Sequence, residues 1–471
     1  MKKSIISFAI CSVLFFGCKK YLDINQDPNS AAQPPIQGLL ANSTHGTAIN
    51  SYYIADYTNY YSQYLASPGK ASTVDTYDEV DMSSAWNNVY DIMTDINDMR
   101  KIGAEKGLNA YIGVGDIMLA INLGMSTNVW GDMPYSEGFQ GVNKLNPKYD
   151  NQQALYDTCL NLIDMGIAAL SQPDADGELD EHSDLIHGGN IDAWIKTAHA
   201  FKARMLNQVS KTSAYNTTSV LSEVQSSYTS NDDDAQISVF DATVFNGINP
   251  WALEARNNAA LLLDGWLSAN VINAMNGKTY GVWDPRLPII ASPTKYGTYV
   301  GTINGAGPVG GNTDTNESYL PVDMGYSADH APLQIITYSE TKFIEAEAQF
   351  RAGNKTEAYA AYIEGIKSNM QKVGVADTAI VRYTNEPSVA VGSANLTLDL
   401  IMKEKYAAMF LNPVSWDDLR RTDYSMKDFT LPQNAVLTNF IRRINYPNDE
   451  LSTNGQNAPT VTNSDHLWWD Q

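Results

Sequence analysis

The six histidines, at positions 45, 182, 187, 199, 330 and 466, are the side chains best suited to hold a metal or shuttle a proton. Their spacing supports neither role. No HExxH pair occurs, and His182 and His187 lack a third ligand at recognisable distance in the chain. There is no G-x-S-x-G elbow, and the glycine-rich run at 301–311 lacks the Lys-Ser/Thr of a phosphate loop, so it reads as a flexible loop. Glu345 and Glu347 lie two apart on a helical pattern and point to different faces, which suits solvation better than paired acid–base work. In the acidic stretch 174–180 a glycine falls fourth rather than sixth and no glutamate sits twelfth, so it is no EF-hand. That stretch and Asp232, Asp233 and Asp234 read as solvated acidic loops. No catalytic residue, metal site or cofactor is expected.

Binding chemistry has better support. A ligand rich in CH faces and hydroxyls, such as an oligosaccharide, asks for flat aromatic rings beside amides and carboxylates. With 27 Tyr and 9 Trp most rings must be core, so location decides. Tyr77 follows Pro68-Gly69 in a polar loop, and Tyr280, Trp283, Tyr296, Tyr299 and Tyr326 fall among Gly, Asn and Pro in the middle of the chain. These six are the candidate ligand-binding residues, with ordinary packing the competing account for each. Trp283 directly precedes Asp284-Pro285-Arg286 and can equally pack that turn.

The elements that must position these rings are helical. Apolar residues recur at helical spacing over about 36–65, 82–105, 109–129, 150–171, 190–211, 333–352, 355–371 and 397–411. In Trp86, Val89, Tyr90, Met93, Ile96 and Met99 the steps are three and four, one face of an amphipathic helix. Around Gly353-Asn354 two Ala- and Tyr-rich patterns join as in a tetratricopeptide hairpin, with Ala346, Ala348, Ala358 and Ala361 allowing close approach. Residues 240–332 carry Gly, Asn, Pro and aromatics instead, and read as long, functional loops. Strand-like pieces such as 236–240 are short. The fold class is therefore mainly α: tetratricopeptide-like hairpins forming a scaffold, with long irregular loops and little β.

Composition narrows the setting. At 44% hydrophobic and 18% charged residues the chain has material for a large core, and a net charge of −22 argues against nucleic acid as a partner. Lys2 and Lys3 precede an apolar run from Ile5 to Phe16 that ends at Gly17-Cys18, the layout of an export signal with a lipidated cysteine. Residues 1–17 are read as the leader, Cys18 as the lipidation site and membrane anchor, 18–35 as a tether, and 36–471 as a single domain. Cys159 lies in an amphipathic stretch and reads as core.

Eight segments, read in order, carry a resemblance. They are WGDMPYSE from Trp130, YDNQQALYD from Tyr149, DLIHGGNIDAWIKTAHAFKARMLNQVS from Asp184 and DPRLP from Asp284. The tetratricopeptide-like hairpin follows, then KEKYAAMFLNPVSWDDLRRTDY from Lys403 and IRRINYPNDELSTN from Ile441, with a terminal HLWWD. This succession resembles the SusD/RagB family, in the branch with a Leu-Trp-Trp-Asp tail, over essentially the whole mature chain. The resemblance implies a non-enzymatic lipoprotein of the outer membrane facing the exterior. Such a protein is a lid on a SusC-like TonB-dependent transporter and captures oligosaccharides or peptides. Acidic residues often follow the lipidated cysteine in exported members, whereas here Lys19 and Lys20 intervene. A surface glycoside hydrolase or peptidase, and an inert structural lid, are the competing readings. On the residues alone, Trp416 beside Arg420 and Arg421 reads as an aromatic anchor with two guanidinium forks for buried carboxylates. Trp468 and Trp469 read as pins for the C-terminus.

Overall fold

The computed structural model describes residues 34–174, 179–244, 247–261, 265–309 and 316–471. The leader 1–17, Cys18 and most of the tether lie outside the described residues, as do 175–178 of the acidic stretch and Gly310 and Gly311.

Five long helices open the fold: α1 (Ile36–Tyr61), α2 (Ser83–Lys106), α3 (Asn109–Trp130), α4 (Gln152–Leu170) and α5 (Ile191–Gln208). Each packs on the next-formed neighbours, and α3 runs through their middle with nearly every residue buried. By length and apolarity α3 could cross a membrane; here the other helices bury it. Its contact with α4 is close because a Cβ on Gly113 would lie 2.8 Å from the carbonyl of Gly166, so the two backbones touch where only glycine fits. Asparagine side chains start two of these helices: Asn151 accepts from the amide of Ala154 at 2.9 Å, and Asn190 from that of Ala193 at 3.1 Å. Helix α3 ends at Gly131, with φ of 77°, leaving Trp130 buried edge-on to Trp86.

Shorter elements follow: α6 (Thr217–Ser226), α7 (Pro250–Leu261), α8 (Ala269–Met275) and α9 (Leu287–Ile290). Three of them fall within 240–332, so that region is not loop throughout. The hairpin expected at Gly353 is formed by α10 (Tyr338–Arg351) and α11 (Lys355–Lys372), with Gly353 at φ of 84° and all four alanines buried. The last helices are α12 (Asp377–Thr384), α13 (Leu398–Ala408), α14 (Val414–Arg421) and α15 (Asn448–Asn454). Among the described residues two antiparallel pairs supply the β structure: β1 (Leu65–Ala66) with β3 (Trp266–Leu267), and β2 (Ala235–Ile237) with β4 (Leu333–Ile336). Strand β4 therefore takes the start of the 333–352 stretch, where Leu333, Ile335 and Ile336 are buried and Thr337 caps the helix that follows.

Two expectations about acids need correction. Glu347 is not solvated: it is fully buried, and both of its oxygens meet Arg421 at 2.6 Å. Burial opposes its charge, but Arg421 outweighs that and holds the carboxyl well below its usual range. In the run at 232–234, Asp233 pairs with Lys196 at 2.7 Å and Asp234 with Lys372, so two of the three join elements together. At the other end Arg420 lies 3.6 Å above the ring centre of Trp416 and 4.8 Å from that of Trp469, which fixes the C-terminus to α14.

Candidate functional site

A buried ion cluster lies beneath the middle segments and sets the position of Trp283. Arg286 spans Asp284 with its Nε at 3.0 Å and an NH2 at 2.6 Å, and reaches Glu404 of α13 at 2.7 Å and Asn369 of α11 at 3.0 Å. Glu404 also takes Lys403 at 2.5 Å and the Tyr383 hydroxyl at 2.7 Å. Burial would raise the Glu404 carboxyl, yet Lys403 and Arg286 bring it down to about 2, so the cluster stays ionised. The amide of Asp284 bonds the carbonyl of Met275 at the end of α8, and Trp283 bridges Asn276. Trp283 is thus the residue next to an anchored one, and its own side chain is 49% exposed.

Beside it, the ring of Tyr299 meets Trp283 edge to face, centroids 5.7 Å apart at 67°. Asn276 Nδ2 donates to the Tyr299 carbonyl at 3.3 Å and ties this segment to the end of α8. Thr302, farther along the same segment, pairs with Ser268, and Ile303 enters the lining of a cavity of about 300 Å³. That cavity is walled by amides and hydroxyls: Gln63, Asn270, Asn273, Asn304, Gln433, Thr279 and Thr430, with Asp428 as its carboxylate. Asn273 and Gln433 make no side-chain hydrogen bond among the described residues. The aromatic pair and the polar cavity are therefore linked through α8 and residues 299–304.

Asp75 holds the cavity wall. It accepts from the amides of Ser67 at 3.1 Å and Gly305 at 2.7 Å and from Asn304 Nδ2 at 2.5 Å, joining the 68–80 loop to the 302–307 turn. Burial pushes its carboxyl up to about 6 against those bonds. Gly305, at φ of 77°, passes so close to Gln433 that a Cβ would fall 1.8 Å from its carbonyl oxygen. The described part of the glycine-rich run is thus pinned on both sides rather than loose.

The six aromatic candidates do not form one site. Tyr77 is 0% exposed, at φ of 63°, with its ring edge-on to Tyr61 at 5.9 Å, so it is core and offers no face to a ligand. Tyr326 is half-buried, tilted against Phe410 at 5.7 Å, and accepts from Asn369 at 3.1 Å, which makes it packing. Tyr280 is half-buried between Lys403 and Lys427, 5.2 and 6.0 Å from its ring centre. Tyr296 is 73% exposed at the tip of a turn closed by Thr294 and Thr298, and makes no ring contact with Trp283 or Tyr299 among the described residues. The amides were not foreseen. Gln63, Asn270, Asn273 and Gln433 come from separate parts of the chain, and no local pattern marks them. Chemically the surface can stack a ring and meet hydroxyls.

Comparison with known proteins fits this arrangement. A family model described as starch-binding, associating with the outer membrane, matches residues 28–447. The chain belongs to the SusD-like family. SusD-like proteins are associated with the outer membrane. Among solved structures, a SusD/RagB family protein from Bacteroides thetaiotaomicron is 21% identical with a TM-score of 0.76, covering 93% of this chain and 99% of its own. A chitin-binding SusD homologue from Flavobacterium johnsoniae is 19% identical with a TM-score of 0.76, covering 93% and 98%. A SusD homologue from Bacteroides fragilis is 20% identical with a TM-score of 0.76, covering 93% and 100%. These identities speak for the fold, which is the SusD-like helical fold. No curated protein matches the chain significantly.

Proposed function

We propose that this protein is a non-enzymatic glycan-binding lipoprotein of the outer surface, anchored through Cys18, that delivers oligosaccharides to a SusC-like TonB-dependent transporter. In this reading residues 36–471 act as one unit and the tether 18–35 links it to the membrane. The observation that carries the proposal is the Trp283–Tyr299 platform beside an amide-walled cavity. Rings stack on the CH faces of a sugar, and amides meet its hydroxyls in both donor and acceptor roles. The starch-binding description of the family and the chitin-binding relative support the same class of ligand. The buried cluster of Asp284, Arg286 and Glu404 preorganises Trp283, which limits the ordering cost of binding. Calorimetric titration of the mature protein with maltohexaose, chitohexaose, cellohexaose and xylohexaose, followed by product analysis, tests it. Saturable binding without cleavage is expected. Cleavage, or no heat with any of the four, contradicts it.

A further inference from the structure

A second cleft, of about 760 Å³, shares no residue with the cavity beside Trp283. It lies between one face of α2, the segment 138–147 and α15. The rings of Tyr90 and Phe139, 6.1 Å apart and tilted by 31°, form its floor. Phe139 holds φ of 59°, a left-handed conformation that costs a non-glycine residue free energy and that collects at working sites. Val142 and Leu145, 88% and 73% exposed, flank the floor without burial of their own. Polar groups share the lining: Gln140, Glu450, Asp98, which pairs with Lys101 at 2.9 Å, and Lys144, which pairs with Glu137 at 2.8 Å. Glu450 Oε1 accepts from the Tyr149 hydroxyl at 2.8 Å and from Asn454 at 2.9 Å, so the carboxylate is fixed in place, while its Oε2 makes no hydrogen bond among the described residues.

This lining discriminates between ligand classes. A lipid or wholly apolar occupant would strip water from Asp98, Gln140 and Glu450 and return no hydrogen bonds, which is unfavourable. A strongly anionic occupant would meet two carboxylates, while the cation of the lining, Lys144, is already paired with Glu137. A neutral molecule with apolar faces and many hydroxyls satisfies both halves of the wall, and the volume lies in the range of small-ligand sites.

We infer that this cleft is a second glycan-binding site, taking a short oligosaccharide with its ring faces on Tyr90 and Phe139 and its hydroxyls on Glu450 and Asp98. The inference rests on the reading of the protein as a glycan binder and adds a site independent of the Trp283 platform. Such a site lets one chain hold a longer or branched glycan at two points, or hold a second molecule.

The test uses the four hexasaccharides named above, titrated into the wild type, a Trp283→Ala/Tyr299→Ala variant, and the same background carrying Glu450→Gln or Leu145→Ala. Leu145 is exposed, so its truncation leaves folding intact, and glutamine at 450 can keep the Tyr149 and Asn454 contacts. The expected result is that at least one hexasaccharide still binds when the platform is removed. Glu450→Gln then weakens that binding roughly tenfold or more, as the loss of a hydrogen bond to a charged group does. Leu145→Ala weakens it in the same direction. If the platform variant abolishes all binding, or if Glu450→Gln and Leu145→Ala leave its residual binding untouched, the inference is overturned and the platform reading stands. Binding that none of the variants alters, or no binding to the wild type at all, overturns both.

Discussion

Replacing Arg286 by methionine removes a guanidinium that is fully buried and holds Asp284, Glu404 and Asn369 together. The stem is kept, so little packing volume is lost, and the effect isolates the charge. Two carboxylates are then left buried with Lys403 as their nearby cation. Breaking a buried pair by removing one partner costs about 3–5 kcal/mol, because the remaining charge is uncompensated. For a chain of this length the unfolding entropy makes that about 3–5 °C in melting temperature. The structure adds a functional consequence. Asp284 follows Trp283 directly, so release of Asp284 should loosen the platform and weaken glycan binding even though no ligand-facing residue has been changed. Differential scanning calorimetry and titration of Arg286→Met against the wild type give both readouts. A variant that melts and binds like the wild type would refute the argument that this cluster positions the site. A double variant, Arg286→Met with Glu404→Gln, should recover part of the melting temperature, since one stranded charge is gone.

Asp75 gives a pH signature with a definite sign. Its carboxyl is raised to about 6 in the folded protein against an ordinary value of 3.8. Its contribution to stability is therefore present in full below 3.8 and is lost as pH rises through about 6. The stability difference between the wild type and Asp75→Asn should fall between pH 4 and pH 8 in urea titrations, and a difference that rises over that range contradicts the assignment. Tyr77→Ala should cost about 3–5 kcal/mol of stability as a core truncation, visible as a lower urea midpoint. A binding defect without destabilisation would return Tyr77 to the surface. Cys18→Ser should move the protein from the membrane to the soluble fraction and end fatty-acid labelling; unchanged labelling rules out lipid at that position.

The helices were legible because their apolar residues recur every three or four positions over long stretches, as in α2, and because Gly353 marks a turn without tertiary help. Strand β4 was not legible: Leu333, Ile335 and Ile336 fit a buried strand as well as the start of a helix, and only pairing with β2 decides. Glu347 misled for a similar reason. Spacing along its own helix says nothing about Arg421, which arrives from α14 and turns a solvated position into a buried ion pair. Among the aromatics, a loop context predicted exposure correctly for Trp283 and Tyr296, and failed for Tyr77, whose left-handed backbone places its ring in the core. The cavity beside Trp283 was invisible in sequence because its amides converge from α8, the 63 and 304 turns and the 433 segment, each unremarkable in its own neighbourhood.

In the proposed function Trp283 and Tyr299 bind a sugar ring rather than support the fold. The most direct measurement of this is the affinity of single Trp283→Ala and Tyr299→Ala variants for whichever hexasaccharide the wild type binds, with melting temperature recorded on the same samples. Truncating a central stacking residue commonly costs about 2 kcal/mol or more, roughly thirtyfold in affinity. That loss is expected for Trp283→Ala, with a melting temperature close to that of the wild type because the side chain is half exposed. Unchanged affinity in both variants with the fold intact, or a sharp fall in melting temperature without a specific loss of binding, would contradict it.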